Sequence, residues 1–203
     1  MKIVIVDYGM GNIKSISSTL KYLGVNEVVV SDNYEVLKSS DKIILPGVGS
    51  FAKAMHQIKE KKLDVFLEEI VLGDKKPLLG ICLGMQLLGL SSTEDGFNKG
   101  LGFINGDITK FDDTQLKVPH VGFNQVIPCM GSRLYQDIEK NPDFYFTHSF
   151  RMFSDADINS SKCDYGHKFL ASFELGNIAG VQFHPELSQN NGLKLLNNFI
   201  QNF

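Results

Sequence analysis

No stretch of this chain approaches the roughly 18 consecutive apolar residues of a membrane-spanning helix, so none is expected. There is no run of five basic residues and the formal net charge is −3, which argues against a nucleic-acid-binding surface. Cysteine is scarce. Cys82, Cys129 and Cys163 form an odd set without framework spacing, so reduced thiols and a cytoplasmic protein are expected. No Cys-x-x-Cys or His-x-x-x-His pair occurs, which argues against a structural zinc site, and no metal or cofactor is expected. The opening Met1-Lys2-Ile3-Val4-Ile5-Val6-Asp7 is too short and too quickly acidic for a signal peptide and reads as a first strand. No repeat, low-complexity tract or Gly/Ser/Pro-rich linker divides the chain.

What is present is an ordinary globular composition, 43% hydrophobic and 21% charged over 203 residues. That length supports one sizeable core, so residues 1–203 are expected to form a single domain. Lys2 to Val6 is a nearly continuous apolar run, as a parallel strand buried on both faces requires. Ile13, Ile16, Leu20 and Leu23 recur at helical spacing, and Gly24 stops that helix. Glu27 to Val30 and Lys42 to Leu45 read as short strands. Ser50 to Leu72 is helical in character, with a break near Lys61-Lys62, and Pro77 to Ile81 is a further strand. From Gly100 to Gly180 the pattern becomes more antiparallel, with runs such as Gly122 to Ile127, Phe144 to Thr147 and Phe169 to Glu174. A last helix carries Leu193, Leu196, Ile200 and Phe203 on one face. The fold class is therefore α/β, an open sheet parallel at its centre and flanked by helices, with a more antiparallel C-terminal half. Active sites of such sheets gather at the carboxyl ends of the strands.

Leu79-Gly80-Ile81-Cys82-Leu83-Gly84-Met85-Gln86 stands at such an end. Gly-x-Cys-x-Gly after an apolar strand is the thiol form of a nucleophile elbow, with a helix expected just after Leu83. The glycines spare the tight turn a Cβ, and the helix N-terminus favours a thiolate. A buried free cysteine is commonly only a small hydrophobe, which is the reading for Cys129 and Cys163. At Cys82 the turn favours chemistry, and a thiol with pKa ~8.5 then needs a base. His56 reads as solvated, His167 as exposed, and His120 and His148 as satisfied core or interface groups. His184, in Val181-Gln182-Phe183-His184-Pro185-Glu186, is the best base. On an extended chain His184 and Glu186 would share a face, so Glu186 could orient the imidazole. Oxyanion donors would come from the Leu83 N–H and from the Pro46-Gly47-Val48-Gly49 loop, at Val48 and Gly49. The Gly9-Met10-Gly11-Asn12 loop fails as a dinucleotide fingerprint, because Lys14 stands at the third glycine.

These motifs resemble the triad-type, class I glutamine amidotransferase domain over the full length of the chain. Within it, Asp7-Tyr8-Gly9-Met10-Gly11-Asn12, Pro46-Gly47-Val48-Gly49-Ser50-Phe51, Val118-Pro119-His120-Val121-Gly122 and His148-Ser149-Phe150 resemble the glutaminase subunits of imidazole glycerol phosphate synthase. The resemblance implies that the Cys82 thiolate attacks the side-chain amide of glutamine, with His184 as acid and base and Glu186 holding it. It implies Gln86, Glu94, Ser149 and Phe150 as glutamine-binding residues. It also implies that the peptide around Val48 rearranges to complete the oxyanion hole. The ammonia would pass to a separate (βα)₈-barrel cyclase subunit in a heterodimer serving histidine biosynthesis, with Asn12, His120, Phe123 and Leu187 at that interface.

Two positions depart from the family pattern. Phe123 replaces the usual tryptophan after Val-Gly, and Leu187 replaces the usual lysine after His-Pro-Glu. A paralogous glutaminase feeding a sugar amidotransferase of surface glycan synthesis is therefore an alternative. A thiol peptidase or esterase on a related scaffold and a non-catalytic regulatory relative are the more remote ones.

Overall fold

The computed structural model describes residues 1–111 and 116–203. In chain order its elements are β1 (Lys2–Val6), α1 (Ile13–Tyr22), β2 (Glu27–Ser31), α2 (Tyr34–Lys38), β3 (Lys42–Leu45), α3 (Phe51–Glu60) and α4 (Leu63–Leu67). A π-helical turn, Glu68–Gly73, leads to β4 (Leu78–Ile81) and α5 (Leu83–Leu87). Then come β5 (Ser91–Ser92), β6 (Asn98–Lys99), β7 (Asp107–Lys110), β8 (His120–Ile127), β9 (Asp143–His148) and β10 (Phe150–Phe153). The chain closes with β11 (Asn159–Tyr165), β12 (His167–Leu175), β13 (Ile178–Val181), a 3₁₀ turn at Pro185–Leu187 and α6 (Gln189–Asn202).

The main sheet has nine strands in the order β2-β1-β3-β4-β13-β12-β11-β8-β9. From β2 to β13 every pairing is parallel, and from β13 to β9 every pairing is antiparallel. A second sheet has the order β10-β7-β5-β6. Side chains alternate along the parallel strands and so feed two cores. Val4, Val6, Ile43, Leu45 and Leu78 pack with Phe51, Ala54, Met55 and Ile58 of α3 and with Leu63 and Leu67 of α4. Ile3, Ile5, Ile44, Leu79 and Ile81 pack with Ile16 and Leu20 of α1 and with Leu195, Leu196, Phe199 and Ile200 of α6. Helices on both faces explain why these strands read as unbroken apolar runs. Among the described residues, no helix is long and apolar enough to cross a membrane.

The break expected near Lys61-Lys62 falls where Lys62 takes the left-handed conformation, at φ +56°. Elsewhere the structure differs from expectation. Helix α5 begins at Leu83, leaving Cys82 alone between strand and helix. The buried face of α6 is Gly192, Leu195, Leu196, Phe199 and Ile200, while Leu193 and Phe203 are only partly buried. Helix α2 was not expected because five residues carry too little periodicity. Its signal is local: the Asn33 side chain caps it by accepting the Val36 N–H at 3.2 Å.

Candidate active site

Cys82 sits at the carboxyl end of β4 with φ +53° and ψ −112°, a backbone conformation that side chains other than glycine rarely adopt. Its N–H donates to Val181 O at 2.7 Å, which ties the elbow to β13. The glycines serve close approach between backbones. A Cβ on Gly84 would lie 1.9 Å from Leu45 O, and one on Gly47 would lie 2.5 Å from Gly84 N. The elbow and the Pro46-Gly47-Val48-Gly49 loop therefore press backbone on backbone. Tyr8 Oη pins that loop by donating to Pro46 O at 2.7 Å, and burial raises the Tyr8 pKa far above its ordinary value.

His184 arrives from the neighbouring strand. Strand β13 runs parallel to β4 with Val181 opposite Ile81, so the residues after β13 emerge beside the elbow. The sequence predicts that His184 and Glu186 share a face by strand alternation, and the structure brings them together in another way. The strand ends at Val181, and Pro185–Leu187 is a 3₁₀ turn. Proline has a preset φ and no N–H to donate, so it suits the start of such a turn. The turn brings Glu186 Oε1 within 2.9 Å of His184 Nδ1. Asn12 Nδ2 donates to the same oxygen at 3.0 Å. His184 N–H donates to Tyr145 O at 2.9 Å, and Ser188 Oγ donates to His184 O at 2.6 Å. Both side chains are almost inaccessible, with 3% exposure for His184 and none for Glu186.

Burial opposes charge on this imidazole. The hydrogen bond to Glu186 and the negative charges of Cys82 and Glu186 outweigh it and bring the His184 pKa to about 10. The geometry is looser on the Cys82 side, since His184 Nε2 makes no hydrogen bond among the described residues. The sulfur's own contacts are with Thr147 O at 3.9 Å and Gln182 Nε2 at 3.7 Å. Electrostatic coupling rather than a formed S···H–N bond is therefore the better account of the raised pKa. A buried imidazolium with one nitrogen held by a carboxylate and the other unpartnered is poised to give its proton to an incoming group.

A cavity of about 290 Å³ opens at this point. Its walls bring together Cys82, Leu83, Val48, Gly49, Gln86, Glu94, Ser149, Phe150 and His184, all singled out from sequence. Gly49, at φ +103°, requires glycine. Glu94 Oε2 accepts the Phe51 N–H at 2.8 Å, and burial raises the pKa of this carboxyl. Gln86 Nε2 donates to Phe150 O at 2.9 Å. Among the described residues, no group of three or more His, Cys, Asp or Glu side chains is arranged to hold a metal ion.

The four residues assigned to a partner interface do not share one environment. Phe123 and Leu187 are exposed, at 50% and 42%, and lie outside the cavity walls. Asn12 is spent on Glu186. His120 is 2% exposed and stacked on Phe146 and Tyr165, so its side chain offers little surface to a partner. Its Nδ1 meets His148 Nε2 at 3.1 Å, and His148 Nδ1 meets Phe150 O at 2.8 Å. Burial lowers the pKa of His120 to about 4 and that of His148 to about 3. Both rings are neutral at pH 7, so His148 donates to Phe150 O and accepts from His120. Sequence reasoning left Pro119, Thr147, His148 and Gln182 out of the site. Pro119 and His148 stand within motifs that carry the family resemblance, and Thr147 and Gln182 stand near Ser149 and His184 in the sequence. Cys129 and Cys163 are free thiols away from the cavity, and burial pushes the Cys163 thiol up to about 12.

Comparison with known proteins identifies the family of the chain. The family described as "Glutamine amidotransferase class-I" matches residues 4–203. Imidazole glycerol phosphate synthase subunit HisH 1 of Campylobacter jejuni (strain RM1221) is 46% identical, over 98% of this chain and 99% of the relative. The HisH subunit of Aquifex aeolicus (strain VF5) is 43% identical, over 98% and 96%. A solved structure described as a glutamine amidotransferase superposes with a TM-score of 0.76 at 16% identity, covering 98% of this chain and 97% of that one. The structure of PurLQS from Thermotoga maritima superposes with a TM-score of 0.69 at 20% identity, covering 98% and 97%. These two distant structures match the fold, and the near relatives extend the match through sequence. This chain belongs to the class I glutamine amidotransferase family, alongside the HisH subunits of imidazole glycerol phosphate synthase.

Proposed function

We propose that this chain is the glutaminase subunit of an imidazole glycerol phosphate synthase, acting as one domain in the reducing cytoplasm. The observation that carries the reading is the Cys82 elbow facing a buried His184 held by Glu186, at the mouth of a cavity lined by Gln86 and Glu94. Full-length similarity to HisH subunits supports the pathway.

The Cys82 thiolate attacks the side-chain amide carbon of glutamine. The carbonyl oxygen takes the negative charge and is met by the Leu83 N–H, at the start of a helix, and by a donor from Val48 or Gly49. His184 Nε2 gives its proton to the amide nitrogen, the C–N bond breaks, and ammonia leaves a glutamyl thioester. His184, now neutral, takes a proton from water as that water attacks the thioester carbon. The C–S bond breaks, and glutamate and the thiolate are released. Glu186 keeps the imidazole in the tautomer whose Nε2 faces the thiol, and Asn12 fixes Glu186 in turn. Glu94 receives the ammonium group of glutamine; a neighbouring cation would offset the burial that disfavours its charge. Ammonia then passes to a (βα)₈-barrel synthase subunit. Phe123 and Leu187, exposed outside the cavity, are the contacts for that subunit.

The nitrogen source tests this reading. Cys82→Ala should abolish glutamine-dependent synthesis by the complex and leave synthesis from ammonium salts intact, since the cysteine makes only the thioester. Glutamine-driven turnover near the wild-type rate in this variant would refute the assignment.

A further inference from the structure

Gln182 has no role in the reaction as written, yet its side chain is fully buried beside the nucleophile. Its Nε2 donates to Cys82 Sγ at 3.7 Å, and its Oε1 accepts from Gln86 Nε2 at 2.9 Å. The orientation of the amide follows from counting donors. Gln86 Nε2 has two N–H groups, and they go to Phe150 O and to Gln182 Oε1. An amide nitrogen cannot accept, so the oxygen of Gln182 must face Gln86 and its nitrogen must face the sulfur. With both N–H groups of Gln86 engaged, the acceptor Gln86 has left to offer the cavity is its oxygen. The main chain holds the arrangement from both sides. Gln182 N–H donates to Ala171 O at 2.8 Å, and Cys82 N–H donates to Val181 O at 2.7 Å. Phe150 O is clamped a second time by His148 Nδ1 at 2.8 Å.

We propose that Gln182 is a positioning residue that sets two groups with one amide: its N–H end steadies the Cys82 thiolate, and its oxygen fixes which end of Gln86 meets substrate. The second half rests on the glutaminase reading above; the first does not. A donor aimed at sulfur favours the charged thiolate, so its loss should raise the pH at which Cys82 becomes reactive. A glutamine that merely fills the core would leave that pH unchanged.

Two variants of the full chain separate the halves. Gln182→Met keeps the length and removes both donor and acceptor. Gln182→Glu keeps an acceptor toward Gln86 and, when ionised, has no donor for the sulfur. Urea unfolding midpoints establish that each is folded. Iodoacetamide labelling of the Cys82 peptide is then followed by mass spectrometry from pH 5 to pH 9 without substrate. The reactivity midpoint should rise by about one pH unit in each folded variant, a tenfold change in thiolate population at a given pH. Protection of Cys82 by glutamine is titrated at fixed pH. The half-protecting concentration should rise about tenfold in Gln182→Met and stay near wild type in Gln182→Glu. An unchanged labelling profile in Gln182→Met overturns the thiolate half, and equal protection in Gln182→Met and wild type overturns the Gln86 half. If glutamine fails to protect the wild-type chain at all, the glutaminase reading falls, while the labelling profile still judges the contact with sulfur.

Discussion

The parallel and antiparallel halves of the main sheet contribute to the site in different ways. The parallel half contributes backbone. It supplies the strained elbow at Cys82, the Pro46-Gly47 loop pressed onto Gly84, and helix α5 leading away from the nucleophile. The antiparallel half contributes side-chain networks. His120 and His148 form a chain of contacts there that ends on the Phe150 carbonyl of β10 in the second sheet, and it packs among Phe146, Tyr165 and Phe169. Strand β13 is the seam, parallel to β4 and antiparallel to β12. It delivers Gln182 and His184 to the neighbourhood of Cys82. The lesson is that backbone-built parts of a site tolerate almost no added atoms, whereas side-chain-built parts are sensitive to protonation.

The largest expected effect lies at the seam. His184→Ala should lower glutamine turnover by more than about 10³-fold, as removal of Cys82 should, because a nucleophile and its base act as one unit. Glu186→Gln should be about 10²-fold less severe, since an amide oxygen can still accept from Nδ1. Steady-state glutaminase assays in the presence of the partner subunit decide this. Equal damage from both substitutions would mean that the charge of Glu186, and not only its hydrogen bond, is required.

The next largest effect tests the backbone half. Gly84→Ala forces a methyl group to within 1.9 Å of Leu45 O, so the elbow or the neighbouring loop must move. A loss of about 1–3 kcal/mol in urea unfolding is expected, together with loss of Cys82 labelling by a glutamine analogue. Gly131→Ala, in the antiparallel half, meets nothing within 4 Å and bears only the strain of φ +78°. It should cost about 1–2 kcal/mol and leave labelling unchanged. Equal labelling in the two variants would erase the contrast.

Acid tests the side-chain half. His120 and His148 titrate near 6.5 when unfolded but at about 4 and about 3 when folded. In that window the unfolded chain binds more protons, so stability present above pH 6.5 is lost as pH falls toward 3, by at most ~1.4 kcal/mol per pH unit for each ring. His184 has the opposite sign. Its contribution is intact below pH 6.5 and is lost as pH rises through about 10. Amide exchange at pH 5 should therefore lose protection in β8 and β9 before β1, β3 and β4. His120→Gln should flatten the acid limb. Uniform loss of protection would mean that the two halves open as one unit.

The smallest effect concerns the rim. Leu187→Lys places a charge at an exposed position and should leave the stability of the free chain within about 0.5 kcal/mol. On the proposed partnership with a barrel subunit, it should weaken binding to the native barrel and improve binding to a barrel from a lysine-type pair, as measured by calorimetry. Affinities unchanged for both would remove position 187 from the partner contact.

Much of the fold was legible because the parallel strands are covered on both faces. Lys2 to Val6, Lys42 to Leu45 and Leu78 to Ile81 need apolar side chains in succession, and such runs are conspicuous. The antiparallel half was read less completely. Strand β8 alternates buried and exposed residues, while β5 and β6 have two residues each, too few for any period. The elbow was legible because its glycines are forced by close approach, and the sequence cannot avoid displaying them.

The amino-acid sequence by itself marked the buried parallel strands and the longer helices, and singled out Cys82 and His184 as the candidate nucleophile and base, because each depends on local pattern. Tertiary structure alone decided how these meet. The register of Val181 on Ile81 puts His184 beside Cys82, and a 3₁₀ turn in place of a continuing strand aims Glu186 at His184. The partners of Gln182, Asn12 and His120 lie 96, 174 and 28 residues away along the chain, at Gln86, Glu186 and His148. A buried polar group must find its hydrogen bond wherever the fold brings one within reach, and no local pattern encodes a distance of that kind.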